Sequence, residues 1–149
     1  LDEYKSFNDA YGFLRGDTLL LALSTCLQAT VAQAGEPQPC LGHVGGDDFV
    51  VVCTPPQAEP LGNRLIASWE VEVLRHYDEA DLERGFLEVV DRRMQLRRHP
   101  IVSVSVGIAC DRGGERDYRA VVAAAAEMKS FAKTRAGSVV AVDRRASCD

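Results

Sequence analysis

Three things are scarce or missing in this chain, and each narrows what it can be. The first is an excess of positive charge: 17 Lys and Arg stand against 22 Asp and Glu, a net charge of −5. That balance excludes a basic groove for a nucleic-acid backbone, although a single nucleotide can still be held locally. The second is a long apolar run. No stretch reaches the roughly 20 consecutive apolar residues of a membrane helix, and no signal peptide is visible. The third is cysteine at metal-binding spacing. The five cysteines form neither a CxxC pair nor a Cys/His cluster of zinc type. Their odd count and apolar flanks fit buried thiols in a reducing cytoplasm. Internal repeats, low-complexity tracts and linkers are absent too.

What is present is a chain of 149 residues, 46% hydrophobic, enough for one domain with its own core. Residues 3–10 read as a short helix broken at Gly12. "RGDTLLLALSTCLQATVAQ" reads as a long one, with Asp17 as N-cap and Leu20, Leu23, Leu27 and Val31 on one face. Cys40 to Val44 and Phe49 to Cys53 read as two strands, and "TPPQAEP" as a loop. A helix from about Leu61 to Tyr77 carries Leu65, Trp69, Val73 and Tyr77 at intervals of four. "FLEVVDRRMQLRR" reads as a polar hairpin, an arm near residues 85–98 lying outside the core. "PIVSVSVGIAC" alternates as a strand should, "DYRAVVAAAAEMKSFAKT" is a helix with a small-residue face, and "GSVVAVD" closes with a strand. This order implies an α+β sandwich with an antiparallel sheet covered by helices. The start at Leu1, with no strand before it, reads as a single domain over 1–149 that is N-terminally truncated and lacks its first strand.

The stretch with the most chemistry is "CLGHVGGDDFVVVC". Gly45 and Gly46 can take positive φ in a primed hairpin turn and let a nucleotide come close. Asp47 and Asp48 then point to different sides of the ribbon. Either these carboxylates cap N–H groups of the turn, or one of them holds Mg²⁺, which favours one or two carboxylates plus phosphate oxygens.

"LDEYKSFNDAYGFLRGD", followed about thirty residues on by "GGDDF", resembles the GGDEF family, the diguanylate cyclases of bacterial cyclic di-GMP signalling. The matching residues are Asp2, Tyr4, Lys5, Asn8, Asp9, Gly12, Gly16, Asp17, Gly45, Gly46, Asp47 and Phe49, with Ser105 and Gly107 in a later strand. The resemblance implies a palm-like, ferredoxin-like fold of nucleotide-cyclase type, with a central antiparallel sheet flanked by helices. It implies GTP as ligand, Mg²⁺ or Mn²⁺ when nucleotide is bound, and a second GGDEF domain as homodimer partner in an active enzyme. It further implies sensory or phosphodiesterase domains as neighbours and a cytoplasmic location, without contact to nucleic acid or membrane. By matching position, Asp47, Asp48 and Lys5 are catalytic, and Asp47 and Leu1 hold the metal. Asn8 and Asp17 read the guanine edge; alternatively they only end and cap helices. Glu3, Tyr4 and Lys5 offer main-chain N–H groups to phosphates, and Gly45 and Gly46 border the nucleotide.

Several positions depart from the family. Asp48 replaces Glu and is shorter by one methylene, His43 replaces Arg, and Phe13 replaces His. The product-inhibition motif is missing, with Glu36 and Pro39 in its places. A gapless alignment of the late helix puts Thr134 and Ser138 where the family has phosphate-binding cations, and a one-residue shift restores Lys133. These departures favour a divergent GTP-binding regulatory domain with weak or no cyclase activity; the alternative is an active, Mg-dependent cyclase in the full-length protein. If Val44 pairs with Phe49, Cys40 stands opposite Cys53, and both are expected as thiols.

Overall fold

The computed structural model describes residues 1–90, 94–111 and 117–145. The first helix, α1 (Tyr4–Tyr11), and the second, α2 (Phe13–Ala32), meet at Gly12. Gly12 has φ 84°, a conformation that suits glycine, and its N–H closes α1 onto the Asn8 carbonyl. This break starts α2 four residues ahead of Asp17. Asp17 is therefore not an N-cap but an exposed residue inside the helix. The buried stripe of α2 runs through Leu19, Leu23, Leu27 and Val31, while Leu20 is only half-buried.

Strands β1 (Cys40–Gly45) and β2 (Asp48–Val52) form the glycine hairpin. An irregularity between His43 and Gly45 shifts the ladder, so that His43 pairs with Phe49 and Cys40 with Val52. Val44 therefore does not pair with Phe49, and Cys40 does not face Cys53; both thiols are free. The ladder closes at Gly45 and Asp48, so Gly46 and Asp47 form the turn, led by Gly46 at φ 57°.

Helix α3 (Pro55–Glu72) begins inside the segment read as a loop. Thr54 and Gln57 form a reciprocal capping box, and Pro55 sits where a helix has no use for an N–H. A 3₁₀ turn (Val73–His76) continues it, and Leu65, Trp69, Val73 and Tyr77 are all buried, as the spacing predicts. A short helix, α4 (Glu79–Arg84), leads into the antiparallel pair β3 (Phe86–Val90) and β4 (Leu96–Pro100). The hairpin expected near residues 85–98 is present as this pair, with 91–93 outside the described residues, but its expected place outside the core is overturned. Leu87 is 1% exposed and joins the main core, with Val89 packed beside it. Alternation gives this hairpin one apolar face, and that face lies on α1.

Strand β5 (Ser105–Ile108), helix α5 (Tyr118–Ala132) and strand β6 (Val139–Val142) complete the order. β5 and β6 are parallel, joined by α5. The stretch from Pro100 to Cys110 is thus not one continuous strand. Val102 donates its N–H to the Tyr77 hydroxyl at 2.9 Å, and its carbonyl accepts from Trp69 Nε1 at 3.2 Å. Ser103 makes a single antiparallel bridge to Asp2. The α+β class with flanking helices holds, but among the described residues the strands form three two-stranded ladders, one of them parallel, rather than a wholly antiparallel sheet. No helix among the described residues is long and apolar enough to cross a membrane.

Candidate functional site

The hairpin tip comes to rest against the start of the chain. The Leu1 main-chain nitrogen donates to Asp47 Oδ2 at 2.7 Å, while the Leu1 side chain is buried in the main core. The next residue, Asp2, is held on three sides. Its N–H bonds to the Ser103 carbonyl at 2.8 Å. Its Oδ2 accepts from the Ser105 hydroxyl at 2.6 Å and from Ser103 at 3.3 Å. Lys133 Nζ approaches Asp2 Oδ1 at 3.8 Å, too far for a direct hydrogen bond, and that oxygen is buried without a partner. Asp2, Asp47 and Lys133 thus gather two carboxylates and a lysine ammonium beside the start of the chain.

Asp47 is half-buried, and the charge of Lys133 stands near its carboxylate.

Asp48 takes a different direction. Its Oδ1 accepts from Lys129 Nζ of α5 at 2.9 Å. Gly107 of β5 makes this reach available, because α5 lies against it so closely that a Cβ there would stand 2.1 Å from the Ala125 carbonyl oxygen and 2.4 Å from the Lys129 nitrogen. Lys129 and Lys133, one helical turn apart, are brought over Asp48 and Asp2 by that contact. Thr134 and Ser138, the residues at the family's cation positions in the gapless alignment, serve the backbone instead. The Thr134 hydroxyl donates to the Phe131 carbonyl at 2.7 Å, and Ser138 Oγ accepts from the Val104 N–H at 3.2 Å. His43 stacks on Phe49 at 4.5 Å between centroids and donates from Nε2 to the Gly46 carbonyl at 2.9 Å, bracing the turn from within.

At the start of α1, Glu3 has φ 62°. Its Oε2 accepts from the Ser6 hydroxyl at 2.7 Å and meets His99 Nδ1 of β4 at 2.9 Å, so the β3–β4 hairpin is fastened to this turn. The opening N–H groups of a helix have no intrahelical acceptor, which leaves those of Tyr4 and Lys5 for an anion. Lys5 is exposed. Asn8 packs directly on α2: a Cβ on Gly16 would stand 1.7 Å from Asn8 Oδ1 and 3.2 Å from the Tyr4 hydroxyl. Asn8 Oδ1 is buried and accepts no hydrogen bond. Asp17, one residue beyond Gly16, is exposed.

Sequence reasoning assigned no role to Lys129 or His99. The available signal for Lys129 was Ser105–x–Gly107, since a glycine in an alternating strand marks close backbone approach. Oxygen donors suit Mg²⁺, and the Asp47 carboxylate together with the buried, unpartnered Asp2 Oδ1 is of the chemistry such an ion takes. Among the described residues no group of three or more His, Cys, Asp or Glu forms a self-sufficient metal cage, so phosphate or water oxygens would have to complete the shell.

A family profile described as diguanylate cyclase, GGDEF domain, matches residues 1–138. The bifunctional diguanylate cyclase/cyclic di-GMP phosphodiesterase MucR of Pseudomonas aeruginosa is 28% identical to this chain over 130 residues. That alignment spans 86% of this chain and 16% of that protein.

Proposed function

This chain belongs to the GGDEF domain family of cyclic di-GMP signalling, and from that premise we propose that it is a GTP-binding regulatory domain with weak or no cyclase activity. The observation that carries this reading is the ion pair between Asp48 and Lys129. The tip carboxylate beside Asp47 is engaged by α5, and Thr134 and Ser138 are engaged by the backbone. The groups assigned to the nucleotide at the start of α1 carry no such ion pair: Lys5 is exposed, and Asn8 Oδ1, buried against Gly16 without a hydrogen bond, has to turn outward to meet a ligand.

In this reading Asn8 and Asp17 face the guanine edge, where an amide donates and accepts and a carboxylate accepts from ring N–H and amine. The N–H groups of Tyr4 and Lys5 and the charge of Lys5 bind phosphates. Lys133 supplies the remaining cation from α5, with Gly45 and Gly46 bordering the ligand. Asp47 and the Leu1 carbonyl would hold Mg²⁺ or Mn²⁺, which neutralises phosphate charge when bound. The partners are GTP and neighbouring sensory or phosphodiesterase domains.

Calorimetric titration with GTP and Mg²⁺, with product analysis on the same sample, tests the proposal. Binding without cyclic di-GMP is the expected result. Lys133→Ala should weaken binding about tenfold, the loss of one charge-assisted contact. The second reading, an active cyclase that dimerises, is favoured by Lys133 lying over Asp2 near Asp47; formation of cyclic di-GMP would establish it. Absence of any binding would sink both.

A further inference from the structure

We infer that Lys129 is a positioning residue for the hairpin tip: by pairing with Asp48 it fixes the turn so that the adjacent Asp47 stays directed at Leu1. Phe49 packs on the main core just after the turn, but Val44, Gly45 and Gly46 are exposed, the ladder is irregular just before the turn, and the His43 bond to Gly46 lies within the hairpin itself. Among the described residues, polar contacts tie the tip to other parts of the chain: Asp47 meets the Leu1 main-chain nitrogen, with Lys133 near it, and Asp48 binds Lys129.

The anchor behind Lys129 is firm, because its backbone is pressed against Gly107. A short Asp side chain transmits the position of that anchor to the turn with fewer rotatable bonds than a Glu would. Lys129 is itself half-buried. Its ammonium has three donors, so pairing with Asp48 leaves hydrogen-bonding capacity unused. The geometry nevertheless places it on the carboxylate, and its role follows from that contact.

The inference rests on the GTP-binding reading only where metal and nucleotide are concerned, and its test separates the two. Amide hydrogen exchange over residues 44–49 needs no ligand. Lys129→Ala and Asp48→Asn should each speed it about threefold, as befits a partly exposed pair. The double variant should be no faster than either single one, and Lys129→Arg should restore protection. Exchange in α2 should be unchanged, which separates this effect from global destabilisation. In parallel, GTP affinity is measured with Mg²⁺ and in EDTA. Lys129→Ala should reduce the gain that Mg²⁺ gives, with metal-free affinity within about twofold of the parent. Unchanged exchange at the tip in Lys129→Ala overturns the inference. So does a loss of metal-free GTP affinity in Lys129→Ala that Asp48→Asn does not share, because that would make Lys129 a direct phosphate ligand. If the parent binds no GTP but the tip loosens as expected, the positioning role stands and the nucleotide reading falls.

Discussion

Gly107→Ala is expected to destabilise the protein by about 3 kcal/mol, at the severe end of what one added methyl does in a packed interior. The atoms a Cβ would meet are the Ala125 carbonyl oxygen, the Lys129 nitrogen and the Lys129 Cα, the last at 3.0 Å. All are backbone of α5, so no side-chain rotation relieves the clash and the helix must lift off β5. Gly62→Ala is the control. Its Cβ would meet Val140 Cγ2 at 3.0 Å, a side-chain methyl that can yield, and the cost should be well below that of Gly107→Ala. Urea denaturation measures both. The displacement also has a functional consequence, because Lys129 and Lys133 are carried by the same two turns of α5. Their ion pair with Asp48 and approach to Asp2 should be lost together, and GTP binding should weaken more in Gly107→Ala than in Lys133→Ala. A Gly107→Ala protein of parental stability would mean that α5 is not seated on β5 as described.

Those cations mark the boundary between what the sequence shows and what only folding decides. The α1 motif and the glycine hairpin were legible because each is written in consecutive residues: turn glycines, adjacent carboxylates, alternating strands. The spacing of Leu65, Trp69, Val73 and Tyr77 was legible for the same reason, one helix carrying one apolar stripe. Local signals also misled. Asp17 looks like an N-cap, but Gly12 breaks the chain earlier and takes the start of α2 with it. Three prolines made 54–60 look like loop, whereas Thr54 and Gln57 cap a helix that tolerates proline in its first turns. The register at the tip depended on an irregularity with no clear sequence mark, which moved Cys40 from Cys53 to Val52. Lys129 could not be read from its own neighbourhood, since a lysine on a helix is usually a solvated charge. Its place is set by the close approach of its backbone to Gly107, 22 positions earlier in the chain, and only Gly107 hinted at it.

Trp69→Ala should carry the largest stability cost of any change considered, about 4 kcal/mol, the usual range for deleting a fully buried Trp. Trp69 is 0% exposed, and its ring does more than fill space. Val102 lies in an extended segment that forms no ladder at that residue, and two side chains satisfy its main chain: the Tyr77 hydroxyl takes its N–H and the Trp69 indole donates to its carbonyl. The segment is therefore fixed by α3 and its 3₁₀ extension where a neighbouring strand would otherwise hold it. Trp69→Phe and Tyr77→Phe isolate that effect, each keeping most of the apolar volume while leaving one buried main-chain group unpaired, at about 2 kcal/mol each. The next residue, Ser103, binds Asp2 through its carbonyl, and with Ser105 it orients the Asp2 carboxylate. Movement at Val102 should thus reach Asp2, and through it Leu1 and the Asp47 contact. Titrating Trp69→Phe with GTP and Mg²⁺, under conditions where it is fully folded, should show weaker binding than the parent although residue 69 is far from any ligand in sequence and buried in the core. Parental affinity in that folded variant would show that Asp2 is held by its serines alone, and that the indole bond to Val102 serves stability without setting the site.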